Sequence, residues 1–283
     1  MTEWDAYWAD GHNDCFPSET AIEVKGYVKG VWKEIFSQQP FPNKNVLDVC
    51  CGSGYIGRAL EDLEIDLTTC VKGVDAANIP YSGEAPYPIS GGVLIEDLPF
   101  EENSFDIIVS NFGIEYSDTN QALKELIRVS ANKFDWYFLC HSTESVYSKD
   151  SLDVIQELHP FLQRVKFSVN PSLEEAKVVA EAARDQLRKG QFGATSDVLK
   201  KLVDGCELAV SGKIKLDLVV DYLSECQRYV ERMVAQFNAA KECEHALIPS
   251  IPNLPFIQEV NIQNLEWRGS IIAKLIQVSG AKI

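Results

Sequence analysis

The sequence predicts an α/β protein built on a mostly parallel β-sheet, and three observations lead to this prediction. Between residues 44 and 141, short β-prone runs alternate with stretches of helical character. The β-prone runs are apolar throughout and do not alternate, which is typical of strands buried on both faces by helices. The chain has 283 residues, 46% of them apolar, and can therefore bury one large core or a core with a smaller second domain.

Five strands and two helices are predicted in this first segment. The strands are NVLDVC, TTCVKGVD, GVLIED, FDIIVSNF and WYFLCH, and the helices lie near 55–64 and 118–130. Open α/β sheets bind ligands beyond the carboxyl ends of their strands. We therefore expect the functional residues to follow these strands.

The chain becomes helical after about residue 149. A capping box of Ser172 and Glu175 begins one predicted helix, and Gly190 ends it. A longer helix from 216 carries a single apolar stripe before prolines at 249, 252 and 255 stop it, and the β-prone run SIIAKLIQV follows. The residues of the stripe are Val219, Tyr222, Leu223, Cys226, Val230, Met233 and Phe237.

This pattern predicts four regions in the chain. Residues 1–43 form an N-terminal segment or lid, and 44–148 form the α/β core. Residues 149–245 form a helical insertion that serves as a cap or as an interface, and 246–283 supply the final strands. The cap is favoured because the insertion leaves the sheet at its carboxyl edge, where ligands bind.

Composition argues against several classes of function. The net charge of -16 repels the phosphates of nucleic acids and anionic membrane surfaces. The eight cysteines form no C-x-x-C pair and do not combine with the four histidines at metal-ligand spacing, so no metal site is expected. Neither a secretory leader nor a membrane span is recognisable, and we expect a reduced, cytoplasmic protein.

The stretch KNVLDVCCGSGYIGRALEDL is the main candidate for a ligand site. It predicts a strand, a glycine turn at Gly52 and Gly54, and a helix whose N-terminal amides face the turn. The glycine spacing alone would also fit a dinucleotide loop, but Asp48 at the strand end would repel a pyrophosphate and attract a cation. Cys50 and Cys51 are interpreted as small turn residues, with a reactive or metal-binding pair as the alternative.

Two more carboxylates recur at the ends of the next predicted strands. Asp75 ends VKGVD, where a carboxylate can accept hydrogen bonds from both hydroxyls of a ribose. Asp97 ends VLIED, where it can accept a hydrogen bond from an adenine amino group. Together with the sequence EDLPFEENSFD, these positions resemble the class I S-adenosylmethionine-dependent methyltransferases, particularly the group that includes ubiquinone and menaquinone C-methyltransferases.

The resemblance covers about residues 44–141 and implies a Rossmann-like, doubly wound, mostly parallel seven-stranded sheet. An N-terminal helical segment and a helical cap insertion would complete this fold. The cofactor implied is S-adenosylmethionine, with S-adenosylhomocysteine as the product. Cys50 stands where the family usually has glycine. The residues expected to bind the cofactor are Asp48, Cys50, Gly52, Gly54, Asp75, Ala76, Asp97, Leu98, Asn111, Phe112, Tyr7 and Trp8.

The candidate catalytic residues follow the fourth and fifth predicted strands. Glu115 and Tyr116 are expected to line the substrate cavity, and His141 is either a base or a structural histidine. The aromatic residues Trp4, Tyr7 and Trp8 are either a lid over the cofactor or part of an ordinary core cluster. Methyl transfer needs mainly alignment and exclusion of water, so few catalytic side chains are required.

The sequence leads to a first functional hypothesis and two alternatives. The first is a methyltransferase acting on a small-molecule acceptor, as a monomer or homodimer, with oxygen, nitrogen, sulfur or carbon as the methylated atom. The second is a non-catalytic protein of the same fold that binds the cofactor and holds a partner. The third is an NAD-dependent dehydrogenase, which the glycine spacing alone would allow.

Overall fold

The computed structural model describes residues 3–9, 12, 22–38, 44–63, 66–79, 85–189 and 194–282. The helices are α1 Glu3–Ala9, α2 Ile22–Ser37, α3 Tyr55–Ala59, α4 Leu67–Cys70, α5 Thr119–Val129, α6 Val146–Glu157, α7 His159–Arg164, α8 Leu173–Lys189, α9 Ala194–Val210 and α10 Leu216–Glu242. The strands are β1 Val46–Val49, β2 Val71–Asp75, β3 Ile89–Gly91, β4 Phe105–Asn111, β5 Ser130–Cys140, β6 Ile257–Trp267 and β7 Ser270–Ala281.

Within the described residues, seven strands form one sheet in the order β3-β2-β1-β4-β5-β7-β6. Strands β1 to β5 pair in parallel, whereas β7 is antiparallel to both β5 and β6. The strand order reverses between β1 and β4, and the carboxyl ends of neighbouring strands diverge at such a point to leave a crevice. The predicted α/β class and the seven-stranded, mostly parallel sheet are confirmed.

The chain divides into two compact units. Unit 1 contains residues 1–146 and 238–283, and unit 2 contains residues 147–237. The predicted insertion at 149–245 extends further along the chain than unit 2, because the last residues of α10 and the turn after it belong to unit 1. Whether unit 2 serves as a cap or as an oligomer interface stays a prediction.

The core of unit 1 is formed by the apolar strands and by the helices on the two faces of the sheet. All four residues of β1 are buried, and so are the last five residues of β4 and of β5. Trp136 is completely buried and donates a hydrogen bond from its indole nitrogen to Ser130 over 2.9 Å. Burial on both faces explains why these strands read as continuous apolar runs.

Unit 2 has its own apolar core, built from α7, α8, α9 and α10. Small residues of α8, including Ala176, Ala180 and Ala183, lie fully buried in it together with Leu202 and Cys206. Three residues of the predicted stripe on α10 are buried in this core: Val219, Leu223 and Val230. Tyr222 and Cys226 of the same stripe are partly buried and pack against it. The amphipathic pattern of the sequence is therefore confirmed as a packing face.

Two predicted strands are partly or wholly wrong. GVLIED is not a strand, because β3 ends at Gly91 and Gly92 adopts a left-handed φ of 72° that turns the chain. In TTCVKGVD, the first residues form the short helix α4, because the Asp66 side chain accepts a hydrogen bond from the Thr68 amide at 3.1 Å. A capping carboxylate thus outweighs the preference of threonine for strands.

The helix boundaries differ from the prediction at two places. Helix α3 ends at Ala59, so the predicted helix over 55–64 is too long. Helix α10 ends at Glu242 and is followed by a π-helical turn, Cys243–Leu247, and two short helical turns that extend to Asn253. Pro249 and Pro252 occupy first-turn positions of those short pieces, where a missing amide is tolerated. The predicted stop at Gly190 lies outside the described residues.

None of the helices in the described part of the chain combines the length and the apolar character that crossing a bilayer requires.

The capping box at the start of α8 gives a test of unit 2. Ser172 accepts a hydrogen bond from the Glu175 amide at 3.2 Å, and Glu175 accepts one from the Ser172 amide at 2.7 Å. Replacing Ser172 with alanine should lower the free energy of unfolding of unit 2 by about 1 kcal/mol, because the first turn loses its acceptor.

Urea unfolding, with hydrogen exchange of the α8 amides as a local probe, measures this loss. The control is Ser211→Ala, since that exposed hydroxyl follows the last turn of α9 and its removal should cost less than about 0.5 kcal/mol. Equal effects of the two substitutions would contradict the assigned role of the cap.

Candidate active site

The turn after β1 is shaped by residues in the left-handed region. Cys50, Gly52 and Gly54 have φ values of 55°, 52° and 84°. Glycine adopts such values without strain, whereas the cysteine carries a cost. A Cβ atom built on Gly52 would lie 2.4 Å from the Trp8 ring, so the missing side chain allows an aromatic group to lie directly on the backbone.

Asp75 ties this turn to the end of β2. Its carboxylate accepts a hydrogen bond from the Gly52 amide at 2.7 Å and another from the Ala77 amide at 2.8 Å. Burial raises the pKa of Asp75, while these two backbone bonds oppose the shift. The predicted strand end is correct, and the carboxylate already holds the turn in place before any ligand binds.

Asp48 is a buried carboxyl group with incomplete hydrogen bonding. Its side chain is 1% exposed, and the Tyr87 hydroxyl donates a hydrogen bond to Oδ2. Oδ1 has no hydrogen-bond partner among the described residues. Burial raises the pKa of Asp48 from 3.8 to about 8, since the hydrogen bond from Tyr87 offsets only part of the desolvation. An unpaired buried oxygen is costly, and a cationic or hydrogen-bond-donating ligand would relieve that cost.

Helix α1 places aromatic side chains over the turn. Trp4 packs edge-on against Tyr116 with ring centroids 5.4 Å apart, and Trp8 contacts Gly52. Asp5 anchors the helix by accepting a hydrogen bond from the Asn78 amide at 2.9 Å. Helix α1 thus places aromatic rings beside the turn, and their role as a lid stays a prediction.

Glu115 and His141 form a hydrogen-bonded pair at the ends of β4 and β5. Glu115 Oε1 lies 2.8 Å from the His141 amide nitrogen and 2.7 Å from Nδ1 of its ring. Glu115 is 1% exposed, and its Oε2 has no hydrogen-bond partner among the described residues. Because a carboxylate accepts hydrogen bonds, Nδ1 carries the proton of the neutral ring and Nε2 is left as a proton acceptor.

A cavity of about 110 Å³ lies at the carboxyl ends of β1, β2 and β4. Most of the predicted cofactor residues line it, and Tyr116 joins them, whereas Glu115 and His141 lie behind Tyr116 and Phe112. The expected cofactor residues did not include Cys51, Tyr55, Ile56, Trp4 or Gly113, although Trp4 was a candidate for the lid and Cys51 for the turn. The lining residues are Trp4, Trp8, Asp48, Cys50, Cys51, Gly52, Tyr55, Ile56, Asp75, Ala76, Asn111, Phe112, Gly113 and Tyr116.

Four predicted cofactor residues do not line the cavity: Tyr7, Gly54, Asp97 and Leu98. Asp97 is exposed on the loop after β3 and not at a strand end, which corrects its predicted position. Leu98 is buried in the core, and its amide donates a hydrogen bond to Glu125 at 3.0 Å. Tyr7 stacks on His12, and Gly54 packs against Pro86.

Two structural links at the site have no signal in the sequence. Tyr87 follows no recognisable motif, yet its hydroxyl is the donor to Asp48. Trp32 of α2 donates a hydrogen bond to Asn111 Oδ1 at 2.8 Å, which fixes the end of β4 from a distant part of the chain. The roles of Tyr87 and Trp32 become visible only in the structure, because their partners are far away in the sequence.

The two adjacent cysteines behave as small turn residues, with Cys51 buried and Cys50 half-buried. Burial raises the pKa of the Cys50 and Cys51 thiols well above the ordinary range, so both stay protonated at neutral pH. A reactive cysteine needs the opposite shift. Among the described residues, no group of three or more His, Cys, Asp or Glu side chains is arranged to hold a metal ion.

Comparison with known proteins identifies the class. Residues 47–132 match a family model described as a methyltransferase domain. The match covers less than a third of the chain, and together with the sheet order described above it supports a methyltransferase domain of the class I S-adenosylmethionine-dependent type in unit 1. S-adenosylmethionine is the methyl donor of this family.

The chain is similar to enzymes of quinone metabolism. It is 34% identical to the 2-phytyl-1,4-naphtoquinone methyltransferase of Trichormus variabilis, over 35% of this chain and 48% of that protein. It is 28% identical to a ubiquinone/menaquinone biosynthesis C-methyltransferase of Rickettsia bellii, over 56% of this chain and 65% of that protein. The matches thus cover less than two thirds of either relative.

Among solved structures, a putative sarcosine dimethylglycine methyltransferase from Galdieria sulphuraria aligns over 99% of both chains, with 14% identity and a TM-score of 0.44.

The protonated state of Asp48 gives a pH-dependent prediction. Between about pH 4 and about pH 8, the unfolded chain has lost this proton and the folded chain keeps it, so stability falls as the pH rises. Asp48→Asn should remove this fall, which amounts to at most about 1.4 kcal/mol per pH unit, and should exceed the wild type in stability at pH 8.

Urea unfolding at several pH values measures these slopes. The matched control is Asp97→Asn, since that side chain is exposed and outside the cavity. An unchanged slope in Asp48→Asn would show that Asp48 ionises in the folded protein as it does in the unfolded one.

The strained backbone at Cys50 gives a second prediction. Cys50→Gly should leave cofactor binding intact and raise the free energy of unfolding by up to about 1 kcal/mol, because glycine adopts the observed φ freely. Cys50→Val should be destabilising, since the Cβ atom already lies close to Gly113 and a branched side chain resists this φ. Thermal melting compares the two, and a less stable glycine variant would contradict the interpretation.

Proposed function

We propose that this protein binds S-adenosylmethionine in the cavity beside Gly52 and transfers its methyl group to a small-molecule acceptor. The observation that carries the proposal is the unpaired Oδ1 of the buried Asp48 in the lining of that cavity. The methyl donor is cationic, and a carboxyl oxygen without a partner offers it an acceptor that water does not reach. The match of residues 47–132 to a methyltransferase domain supports the same conclusion and argues against an NAD-dependent dehydrogenase.

The residues present fit such a cofactor. Gly52 permits a close approach to the backbone, and each oxygen of Asp75 uses one lone pair on a backbone amide and keeps another for a ribose hydroxyl. Ala76, Asn111 and Phe112 supply the rest of the surface. The bound cofactor would contribute an activated methyl group.

The cavity must enlarge before a cofactor of this size binds. Its volume of about 110 Å³ lies below the roughly 300–1,000 Å³ of ordinary ligand sites. Trp8 lies on Gly52, where a close approach to the backbone is possible. We therefore assign α1 to a lid whose tryptophan gives way to the cofactor and then covers it.

The pair Glu115 and His141 supports a role in proton transfer. His141 would accept a proton at Nε2 while Glu115 holds Nδ1, and this arrangement is useful when the acceptor atom arrives protonated. Tyr116, edge-on to both Trp4 and His141, would separate the cofactor cavity from this pair and contact the acceptor. These roles for His141, Glu115 and Tyr116 are proposals.

Quinone precursors are the acceptors to test first, because both relatives named above methylate compounds of that class. An assay with radiolabelled methyl donor and a panel that also contains amines, thiols and phenols identifies the acceptor. Binding of S-adenosylhomocysteine without turnover of any acceptor would favour a non-catalytic binding or scaffold protein. Calorimetry without detectable binding would refute the proposal.

Asp75→Ala tests the location of the cofactor. We expect the dissociation constant for S-adenosylhomocysteine to rise by about 1–3 kcal/mol in free energy, because the ribose loses a charged acceptor and Gly52 loses its anchor. The matched control is Asp97→Ala, which should bind normally because its side chain lies outside the cavity. An unchanged constant in Asp75→Ala, or an equal loss in the control, would place the cofactor elsewhere.

A further inference from the structure

The π-helical turn after α10 presents one carboxylate to the segment that follows His141. Cys243 and Leu247, at the two ends of the turn, are fully buried in the core of unit 1. Glu244 lies between them and is only partly exposed. Single π-turns inside or after helices are rare and occur often at functional sites, since the extra residue redirects the side chains around it.

Glu244 accepts hydrogen bonds from three donors on two consecutive residues. The Ser142 hydroxyl and the Thr143 amide lie 3.0 Å and 3.1 Å from Oε1, and the Thr143 hydroxyl lies 2.5 Å from Oε2. Lys274 of β7 adds a cation 3.7 Å from Oε1 and also faces Glu144. All of these groups are donors, so the position suits a carboxylate better than an amide.

The residues held by Glu244 directly follow His141. The amide of His141 and its Nδ1 are bound to Glu115 on one side, and the next two residues are bound to Glu244 on the other. Two carboxylates from distant parts of the sequence therefore hold this short segment. A ring whose backbone is held from both sides has little freedom to leave its hydrogen-bonding partner.

The same helix end also reaches the segment that follows Glu115. Glu242, the last residue of α10, accepts a hydrogen bond from the Thr119 hydroxyl at 2.8 Å. Thr119 begins α5, just after the 3₁₀ turn Ile114–Tyr116 that contains Glu115. The segments that follow Glu115 and His141 therefore both form hydrogen bonds with residues 242–244.

We propose that Glu244 is a positioning residue that keeps the His141 ring on Glu115 by holding Ser142 and Thr143. The catalytic consequence of this inference rests on the function proposed above, whereas the structural consequence can be measured without any acceptor. Glu244 does not line the cofactor cavity, so its loss should affect the orientation of His141 and leave cofactor binding unchanged.

The test compares Glu244→Ala, Glu244→Gln and His245→Ala in the chain of residues 1–283. His245 is exposed on the same π-turn, so its replacement perturbs the turn without touching Ser142 or Thr143, and it also helps to assign the histidine signals. The readouts are the nitrogen-15 and proton signals of the His141 ring, hydrogen exchange across 141–145, and the dissociation constant for S-adenosylhomocysteine.

In Glu244→Ala we expect the His141 ring signals to shift or broaden, and exchange across 141–145 to become roughly tenfold faster because its anchor is lost. Glu244→Gln should restore most of the wild-type signals, since the amide oxygen still accepts from Thr143. The dissociation constant should stay within about twofold of the wild type in both variants, a change too small to indicate a lost contact. Once an acceptor is known, kcat should fall while KM for the donor is retained.

Three results would overturn the assignment. The His141 signals could stay at their wild-type positions in Glu244→Ala, His245→Ala could shift them equally, or cofactor affinity could fall together with them. Should Glu244→Ala fail to fold, Thr143→Val, which removes one hydroxyl donor at nearly constant volume, is judged by the same criteria. A wild-type protein that does not bind S-adenosylhomocysteine would refute the proposed function and leave the His141 measurement valid.

Discussion

The hydrogen bond from the Gly52 amide to Asp75 is the constraint from which the site is built. It joins the turn after β1 to the end of β2, and it does so at a residue whose left-handed backbone suits glycine. With the turn held there, the Cys51 amide donates a hydrogen bond to the Val74 carbonyl, and the Trp8 ring packs on the side of Gly52 that has no side chain. The position of this turn sets the shape of the cavity, because Gly52, Trp8 and Asp48 all line it.

The site concentrates carboxyl groups in a chain that is already acidic. Asp48 and Glu115 are buried and Asp75 is half-buried at one edge of the sheet, and no arginine or lysine is among the described residues that line the cavity. Backbone amides satisfy Asp75, and His141 satisfies half of Glu115, but one oxygen each of Asp48 and Glu115 has no partner in the described part of the chain. Burying carboxyl oxygens without hydrogen-bond partners lowers the stability of the folded protein. It favours a ligand that brings positive charge or hydrogen-bond donors.

Hydrogen bonds of long sequence separation hold the loops that carry the site. Trp32 fixes Asn111, Tyr87 fixes one oxygen of Asp48, and Glu244 holds the residues after His141. None of these three anchoring residues belongs to a recognisable sequence motif. Parallel strands bring distant segments of the chain to one edge of the sheet. The site residues and the residues that anchor them therefore come from widely separated parts of unit 1.

The sequence alone determined the α/β class, the seven-stranded, mostly parallel sheet implied by the resemblance, and the positions of Asp48, Asp75, Glu115 and His141 at strand ends. These follow from local regularities, because buried strands are apolar and the residue after each one is placed at the same edge. It misplaced Asp97, because β3 has only three residues and its end is decided by the turn at Gly92. Only the tertiary structure decided that Trp8 lies on Gly52, that Tyr87 bonds to Asp48 and that Glu244 reaches Thr143. Contacts between segments so far apart depend on how whole elements pack, and no local pattern of residues encodes that packing.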